Sequence, residues 1–423
     1  MGRKRKYKKL EVRLHGLPIG TLYQEATGHL TFEYSEKWAM HPHAIPISLS
    51  MPLQTERFAP EVTTAFFAGV LPDNEGIRAT LAKALEVSPR NPFGLLSKIG
   101  HDCAGALQIV PEGSPYTDEA EQIVEWKTDE EIAELIRSLP RRPLGVTADK
   151  EFRISLAGAQ HKTAVVMRDG DVGLPQGDTP STHIFKPPMA GLDGIVENET
   201  FCMMLAQETG LPTANVKVLT FEDQKVISVE RYDRHIEDDG TIKRIHQEDF
   251  CQALGIHPDH KYESDGGPNV SDCVRLLERT DAVYENQIIF LDALIFNFLI
   301  GGTDAHAKNY SLLLETDGSI KLAPLYDIAC GLVYDELAET DRMSMKIGGK
   351  KKFNDVMPRH WERMAKDARI DIDLVNTRLR KMATSLPELA TKTQKMCDID
   401  HKVIPQIVEL ITARCALTLK RMA

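Results

Sequence analysis

The chain has 423 residues, of which 42% are hydrophobic and 27% are charged, so it can bury a large core and divide into two or three domains. Its net charge of −11 excludes a protein that binds nucleic acid through its whole surface, and any DNA contact should be local or made through a partner. The seven cysteines are scattered, without metal-ligand or redox spacing, which favours a reduced, cytoplasmic location.

The amino terminus is basic but shows no secretory signal, because no apolar segment follows the charges. The cluster consists of Arg3, Lys4, Arg5, Lys6, Lys8 and Lys9. It could contact phosphates or an acidic partner, although the pattern is typical of a solvated tail. The longest apolar run, residues 288–300, contains Asp292 and Asn297 and is shorter than the ~20 residues of a membrane span. We therefore predict a buried core helix and no membrane partner.

The first region, residues 1–145, is predicted to be a small α+β module. Alternating runs at 10–14 and 30–34 indicate antiparallel strands, and helices are expected near 60–68 and 77–85. A short amphipathic helix is predicted at 129–139, before Pro140. The domain boundary is expected at about residues 140–147.

The second region, residues 146–245, is dominated by predicted strands. These strands lie at 164–167, 183–186, 216–219 and 226–229. One helix, at 196–209, interrupts them and is expected to end at Gly210. A sheet that carries one helix is typical of the small lobe of a protein kinase.

The third region, residues 246–423, is predicted to be helical. The helix candidates lie at 248–254, 270–279, 288–300, 359–367 and 402–421. Together the three regions predict an α+β, protein-kinase-like two-lobed fold, with an antiparallel-sheet small lobe, a helical large lobe and an amino-terminal α+β module.

The most informative motif is the spacing of three polar residues near the middle of the third region. Asp304 is followed five positions later by Asn309, and Asp327 lies beyond a short predicted hairpin. Protein-kinase-type sites use this spacing for a catalytic base and two magnesium ligands. The motif predicts that Asp304 accepts or orients the proton of an attacking hydroxyl, while Asn309 and Asp327 bind the Mg²⁺ that accompanies ATP.

A candidate phosphate-binding loop lies at residues 154–163, between two extended runs. It carries Ser155, Gly158, Gln160 and Lys162 among other small residues. It is not a Walker A loop, because His161 precedes the lysine and a strand rather than a helix follows. The structural alternative is a plain hairpin turn.

A strand lysine after this loop, Lys186, can reach phosphate oxygens if a glutamate on the following helix holds it in place. The choices are Glu197 and Glu199. The apolar face of the helix favours Glu197, which lies four residues before Phe201, but the phase at the start of the helix leaves Glu199 open.

Two other classes of function compete with a kinase. Asp304, His306 and Asp327 could bind a transition metal, as in a metal-dependent hydrolase. No His-Glu-x-x-His helix and no second histidine cluster support that reading, so His306 is better interpreted as a supporting or phosphate-contacting residue. A non-catalytic regulator is disfavoured, because Lys186 and the three motif residues are all present.

Several motifs together resemble the HipA family of bacterial serine/threonine kinase toxins, over nearly the whole chain. They are Ile154-Ser155, Gly158-Ala159-Gln160, Lys162-Thr163, Glu230-Arg231-Tyr232-Asp233-Arg234, residues 246–255, Asp304-x-His306-x-Lys308-Asn309 and Tyr326-Asp327. In the amino-terminal module, Phe66-Phe67 and Leu71-Pro72 also match.

The resemblance implies roles that spacing alone does not give. Glu230 and Tyr232 would hold adenine at the hinge, and Gln247 and Tyr326 would line the nucleotide pocket. His306 and Lys308, in the catalytic motif, are also expected to bind the nucleotide. Ser155 would be autophosphorylated, and the modified loop would leave its place so that ATP no longer binds. This is physically reasonable, because a phosphate adds roughly two negative charges beside the triphosphate.

The resemblance also implies partners. HipA-like toxins work with a small, HipB-like helix-turn-helix antitoxin that binds operator DNA and holds the kinase, and characterised members phosphorylate aminoacyl-tRNA synthetases. The chain would then be a toxin that causes reversible growth arrest, as in persistence. Two features depart from the family pattern: His161 stands where many relatives carry an acidic residue, and the basic start is an extension without an assigned role.

Overall fold

The computed structural model describes residues 8–115, 122–146 and 154–423. Within these ranges the chain forms an amino-terminal module, a second antiparallel sheet and a largely helical carboxy-terminal part. Lys8 and Lys9 of the basic cluster begin the first strand. The other four residues of the cluster lie outside the described ranges.

The amino-terminal module pairs its strands antiparallel in the order β3-β2-β1-β4. The strands are β1 (Lys8–Leu14), β2 (Leu17–Gln24), β3 (Leu30–Tyr34) and β4 (Leu107–Pro111). The helices are α1 (Glu36–Ala39), α2 (Pro60–Gly69), α3 (Glu75–Ala84) and α4 (Pro92–Ile99). The strands and helices predicted at 10–14, 30–34, 60–68 and 77–85 are confirmed. Helix α3 begins before its first apolar residue, because the Asn74 side chain accepts a hydrogen bond from the Ile77 amide.

The second sheet pairs its strands in the order β5-β7-β6-β8-β10-β9. Its strands are β5 (Ile123–Lys127), β6 (Thr163–Arg168), β7 (Asp171–Gln176), β8 (His183–Lys186), β9 (Val216–Phe221) and β10 (Gln224–Glu230). Two helices accompany it: α5 (Asp129–Ser138) and α6 (Ile195–Glu208). The four strands and the helix predicted for this region are present.

One segment joins a different sheet from the one that the predicted domain boundary implies. Strand β5 pairs with β7, and α5 packs on β9 and β10, so this segment belongs with the second sheet although the sequence groups it with residues 1–145. The pairing partner lies far along the chain, and a local pattern carries no information about such a partner.

The carboxy-terminal part is mainly helical. Its helices are α7 (Phe250–Leu254), α8 (Val270–Leu277), α9 (Val283–Ile300), α10 (Asp335–Thr340), α11 (Pro358–Ala368), α12 (Ile372–Met396) and α13 (Val403–Met422). Short antiparallel strands accompany them: β11 (Arg234–Ile236), β12 (Ile242–Arg244), β13 (His246–Asp249), β14 (Ser311–Leu314), β15 (Ile320–Leu322), β16 (Arg342–Ile347) and β17 (Lys350–Lys352). All five predicted helices are present.

Helix α9 is the central helix of this part. By length and composition it could cross a membrane, but 61% of it is buried inside the protein, where α8, α12 and α13 pack against it. This is the arrangement of a core helix, as the interrupted apolar run predicts. The sequence does not predict α12, which continues through Pro387.

Buried charges join the amino-terminal module to the segment that follows the second sheet. The Asp102 carboxylate accepts hydrogen bonds from Ser181 Oγ at 2.6 Å, Arg234 Nη2 at 2.8 Å and Arg231 Nη1 at 3.3 Å. Asp233 pairs with both arginines. Buried charges are tolerated only when they are paired. This cluster therefore holds residues 231–234, the hinge segment, against the amino-terminal module.

Candidate active site

The candidate site lies between the second sheet and the helical part. Two adjoining cavities, of about 160 and 460 Å³, share Ala159, Lys162, Asp304 and Asp327 in their walls. Ligand pockets in proteins are clefts of about 300 to 1,000 Å³, so together the cavities have the size of a binding site.

The phosphate-loop candidate is an irregular turn before β6 rather than a regular hairpin. Gly158 adopts φ +114°, a conformation that favours glycine, and a Cβ atom there would lie 2.2 Å from Lys162 Nζ. The Lys162 ammonium donates to the Ala157 carbonyl at 2.7 Å and lies under the loop. Burial and the neighbouring Lys186 lower the pKa of Lys162 to about 8.

Two residues of this loop, Ser155 and Gln160, do not line the first cavity. Ser155 is fully buried and does not line the first cavity; its Oγ donates to the Val70 carbonyl at 2.8 Å, and its amide donates to the Asp102 carbonyl at 3.0 Å. Gln160 donates to the Pro187 carbonyl at 2.8 Å and lines the second cavity. Ser155 is therefore held against the amino-terminal module.

Lys186 lies at the end of β8 and connects two carboxylates. Its Nζ donates to Glu199 Oε1 and to Asp327 Oδ1, each at 2.7 Å. Burial alone would lower the pKa of Lys186, but the two carboxylates raise it above its usual value. Burial would likewise raise the pKa of Asp327, but Lys186 and Lys162 hold it well below its usual range. Both groups are therefore charged at neutral pH.

The glutamate that pairs with Lys186 is Glu199, so the preference for Glu197 was wrong. Glu197 instead accepts a hydrogen bond from Lys225 of β10 at 2.6 Å. Helix α6 begins at Ile195, after Gly194 at φ 74°, and this start sets the phase that turns Glu199 toward β8.

The catalytic-motif residues follow α9, which is capped at its carboxyl end by Gly301 with φ 75°. The exposed Asp304 accepts a hydrogen bond from the Tyr262 hydroxyl at 2.7 Å. Asn309 is buried, and its side-chain Nδ2 donates to the Asp304 backbone carbonyl at 2.8 Å. Asn309 therefore braces the turn that presents the Asp304 carboxylate.

Asp327 stands opposite this loop in an unusual backbone conformation. Its φ of 60° lies in the left-handed region, which aspartate tolerates better than most residues but still at a cost. Among the described residues no hydrogen bond engages Asp327 Oδ2 or Asn309 Oδ1. A carboxylate oxygen and an amide oxygen are the hard donors that Mg²⁺ prefers, so the two residues fit this ion.

His306 is buried beside Asp304. Its ring packs edge-on against Tyr262 with centroids 5.1 Å apart, and its Nε2 lies 3.9 Å from Asp304 Oδ1. Burial lowers the pKa of His306, so the ring is neutral at physiological pH. The described residues contain no cluster of three histidine, cysteine or acidic side chains able to hold a metal ion. This disfavours the hydrolase alternative.

The opposite end of the first cavity is lined by aromatic and amide groups. The rings of Tyr232 and Tyr326 lie 5.7 Å apart, and the Tyr232 hydroxyl donates to Gln247 Oε1. The Tyr326 hydroxyl donates to the Lys308 carbonyl at 2.6 Å. Glu230 lies at the exposed rim, where Asn215 donates to its carboxylate. All four predicted adenine-pocket residues therefore line the first cavity.

Lys308 lines the first cavity and points toward the amino-terminal module. Its Nζ donates to Asp73 Oδ1 at 2.6 Å and to the Gly69 carbonyl at 3.1 Å. Sequence reasoning missed Asp73, which pairs with Lys308, Tyr262, which donates to Asp304, and Lys261, which pairs with Asp73. No motif spacing connects Asp73 to Asp304, since they lie in different domains.

Comparison with known proteins assigns the chain to a family. The model of the HipA-like C-terminal domain matches residues 154–392, and that of the HipA N-terminal domain matches residues 10–110. The chain belongs to the HipA family. As a member of this family of serine/threonine kinase toxins, it has the predicted α+β, two-lobed, kinase-like fold with an amino-terminal module.

Individual HipA relatives agree with this assignment. The chain is 39% identical to the putative kinase Y4mE of Sinorhizobium fredii, over 90% of this chain and 91% of that one. It is 29% identical to the serine/threonine-protein kinase toxin HipA of Shewanella oneidensis, over 90% and 88% of the two chains. A solved complex of the Shewanella oneidensis HipA, HipB and operator DNA contains a chain that superposes with a TM-score of 0.85, 26% identity and 98% coverage of both chains.

Proposed function

We propose that this chain is an ATP- and Mg²⁺-dependent serine/threonine protein kinase that acts as the toxin of a toxin-antitoxin pair. The observation that carries the proposal is the ammonium of Lys186, which bridges Glu199 and Asp327 at 2.7 Å each, opposite the loop of Asp304 and Asn309. A lysine held by a helix glutamate and a metal-binding aspartate is the arrangement that protein kinases use for phosphoryl transfer.

The nucleotide would lie along the first cavity. The adenine would pack against Tyr232 and Tyr326, and the triphosphate would run under the loop of Gly158 toward Lys162 and Lys186. Mg²⁺ held by Asn309 and Asp327 would supply positive charge to the β- and γ-phosphate oxygens. The two lysines would orient the phosphates and stabilise the charge that develops on them.

Asp304 would act on the acceptor hydroxyl. A serine or threonine of the protein substrate would replace the Tyr262 hydroxyl as the hydrogen-bond donor to Asp304. As the bond between the γ-phosphorus and the acceptor oxygen forms, the bond from that phosphorus to the β–γ bridging oxygen breaks. The hydroxyl proton passes to the Asp304 carboxylate and ADP leaves.

Transfer of labelled γ-phosphate from ATP tests this proposal. Purified Asp304→Ala and Asp327→Ala should lose transfer, whereas Asp317→Ala, in an exposed turn between β14 and β15, should retain it. Chelation of Mg²⁺ should stop transfer by the unaltered chain. Undiminished phosphorylation by either active-site variant would refute the assignment.

The phosphate-loop serine is proposed as a site of autophosphorylation. Because Ser155 Oγ is buried and bonded to the Val70 carbonyl, the loop must leave its place before this oxygen can accept a phosphate. A phosphorylated side chain would not fit back into that buried place, and its charge would repel the triphosphate. Autophosphorylation would therefore switch nucleotide binding off.

Mass spectrometry and nucleotide titration test this switch. Incubation with ATP and Mg²⁺ should add one phosphate at Ser155 and weaken subsequent ATP binding. Ser155→Ala should keep its ATP affinity through the same incubation. Equal ATP affinity for the modified and unmodified chain would contradict the switch.

The proposed partners follow the family. The Shewanella oneidensis HipA was solved with HipB and operator DNA, and we propose that this chain likewise binds a HipB-like helix-turn-helix antitoxin. Its net charge of −11 suits DNA contact made mainly through that antitoxin. The protein substrate is proposed to be an aminoacyl-tRNA synthetase, and the location the cytoplasm.

Phosphoproteomics after induced expression tests the substrate. Cells expressing the unaltered chain should gain a phosphosite on a synthetase that is absent in cells expressing Asp304→Ala. A phosphosite that appears only on unrelated proteins would reject this substrate class while leaving the kinase assignment intact.

A further inference from the structure

One segment of the amino-terminal module enters the kinase cleft. It begins at Gly69, the last residue of α2, and ends at Asp73; Gly69, Val70 and Asp73 line the first cavity. The Pro72 carbonyl accepts two hydrogen bonds from the Arg78 guanidinium, at 2.9 and 3.1 Å, which fixes the end of the segment. We call residues 69–73 the cleft segment.

The cleft segment holds the phosphate loop through its backbone. Pro72 forms a parallel bridge with Gly158, and the Asp73 amide donates to the Gly158 carbonyl at 3.0 Å. The Val70 carbonyl accepts the hydroxyl of Ser155 at 2.8 Å. The loop that would cover the triphosphate is therefore seated on another domain.

The cleft segment also holds the catalytic loop, through the Asp73 carboxylate. Asp73 Oδ1 accepts from Lys308 Nζ at 2.6 Å, and Oδ2 accepts from Lys261 Nζ at 3.1 Å. Lys308 directly precedes the metal-ligand candidate Asn309, and Lys261 directly precedes Tyr262, whose hydroxyl donates to Asp304. One carboxylate thus ties down both chain segments that present the catalytic aspartate.

The surroundings make this contact strong. The side chains of Asp73 and Lys308 are 9% and 4% exposed, so the pair is little screened by solvent. Burial alone would raise the pKa of Asp73, but Lys308 and Lys261 lower it to about 2. Asp249 lies farther from Lys308 Nζ, at 3.9 Å, so Asp73 is the closer anion.

We propose that Asp73 is a positioning residue of the kinase reaction, and that the amino-terminal module completes the active site through the cleft segment. The proposal rests on the kinase function proposed above. Asp73 would act through Lys308 and Lys261, without touching the acceptor hydroxyl. A displacement of about 1 Å at the reacting groups can cost about 100-fold in rate, so small shifts of the catalytic loop matter.

Steady-state kinetics of Asp73→Asn test the proposal. The substitution keeps the shape of the side chain but removes its charge, so the two lysines lose their anchor. We expect kcat to fall by about tenfold to 100-fold. The KM for ATP should not rise, because the lost carboxylate repelled the triphosphate. A general loosening of the fold would raise the KM for ATP as well. A lower kcat with an unchanged KM therefore indicates a positioning role rather than a structural one.

Three further variants sharpen the kinetic test. Ser50→Ala removes a 2.7 Å hydrogen bond from the module to the Gln252 carbonyl, without contact to the catalytic loop, and should keep kcat within about twofold. If Asp73 acts through Lys308, the double variant Asp73→Asn, Lys308→Met should be little slower than Lys308→Met alone. The proposal would be overturned if the fold losses in kcat of the two single substitutions multiplied in the double variant. It would also be overturned if kcat were unchanged in Asp73→Asn.

Hydrogen exchange on the unaltered chain provides a measurement that does not depend on how a variant folds. Addition of Mg²⁺ with a non-hydrolysable ATP analogue should slow amide exchange in residues 69–73. The bound nucleotide would stabilise the contact of the phosphate loop with these residues. Unchanged exchange despite analogue binding would overturn the proposal. Failure of the unaltered chain to transfer phosphate would instead refute the proposed function itself.

Discussion

At the residue scale, the site depends on one ammonium group shared by two carboxylates. Lys186 is 8% exposed and Glu199 4%, and removal of one member of such a pair leaves an uncompensated buried charge. The contact to Asp327 couples the sheet to the metal-binding side of the cleft. The position of Lys186 therefore depends on both carboxylates.

We expect Glu199→Gln to lower kcat by about tenfold to 100-fold, because Lys186 loses the partner that orients it toward the phosphates. Glu197→Gln is the matched control on the same helix, since Glu197 pairs with Lys225, which is 42% exposed. Rates should be compared at equal fractions of folded protein, checked by thermal unfolding. Equal losses of kcat in the two variants would show that the loss comes from a disturbance of α6 and not from the broken ion pair with Lys186.

A pH-dependent affinity for ATP follows from Lys162. Its pKa of about 8 means that the ammonium is present at pH 7 and largely lost at pH 9.5. The triphosphate binds the protonated form better, so affinity should fall as pH rises through about 8, by about tenfold for one charge-assisted hydrogen bond. Calorimetric titrations at the two pH values would measure the difference. Lys162→Met should bind weakly at both, and a wild-type affinity that does not change with pH would contradict the assignment.

Much of the site can be predicted from the sequence, because several of its residues lie at characteristic short spacings along the chain. Asp304 and Asn309 belong to one loop, and the order of Lys186 and Asp327 along the chain matches a kinase. Glu199 could not be chosen over Glu197, because the choice depends on where α6 begins. Asp73 could not be found at all, since its contact to Lys308 arises only when two domains pack together.

At the element scale, periodicity predicts helices well until a residue breaks the pattern. The five predicted helices of the carboxy-terminal part are present, but α12 runs through Pro387 and was missed. Proline ends most helices because it lacks an amide hydrogen and its ring crowds the preceding turn. Packing of buried residues such as Val375, Leu379 and Leu386 compensates for that cost.

We expect Pro387→Ala to stabilise the protein, by up to about 3 kcal/mol, because it restores a helical amide and removes the ring. Pro358 is the matched control, since it occupies the first turn of α11, where proline is favourable. Pro358→Ala should therefore give no gain. Urea unfolding followed by circular dichroism measures both variants, and a loss of stability in Pro387→Ala would show that Pro387 contributes to the packing of α12.

At the scale of the whole molecule, the amino-terminal module is anchored at several places on the other two regions. Asp102 holds the arginines of the hinge, and the cleft segment holds the phosphate and catalytic loops. A third anchor lies at β13, where Glu248 Oε2 accepts from Ser48 Oγ at 2.5 Å and Oε1 accepts from the Leu49 amide at 2.8 Å. Because these contacts are buried, module and kinase should unfold as one cooperative unit.

The anchor at Glu248 predicts how stability depends on pH. Burial raises the pKa of Glu248 to about 8 in the folded protein, from its usual value of about 4.5. The folded state therefore holds a proton that the unfolded state releases, and this stabilisation is complete below about pH 4.5 and lost as pH rises through about 8. Asp249, with a pKa raised by burial to about 6, acts in the same direction.

We therefore expect the change in the free energy of unfolding from pH 5.5 to pH 8 to be less unfavourable in Glu248→Gln than in the unaltered chain. Glutamine keeps the shape and the carbonyl acceptor for Leu49 but does not ionise. Glu33→Gln is the control, because Glu33 is exposed and pairs with Arg57 within the module. Urea unfolding at both pH values measures the difference. If the free energy of unfolding changes equally between the two pH values in Glu248→Gln and in the unaltered chain, Glu248 does not carry this proton.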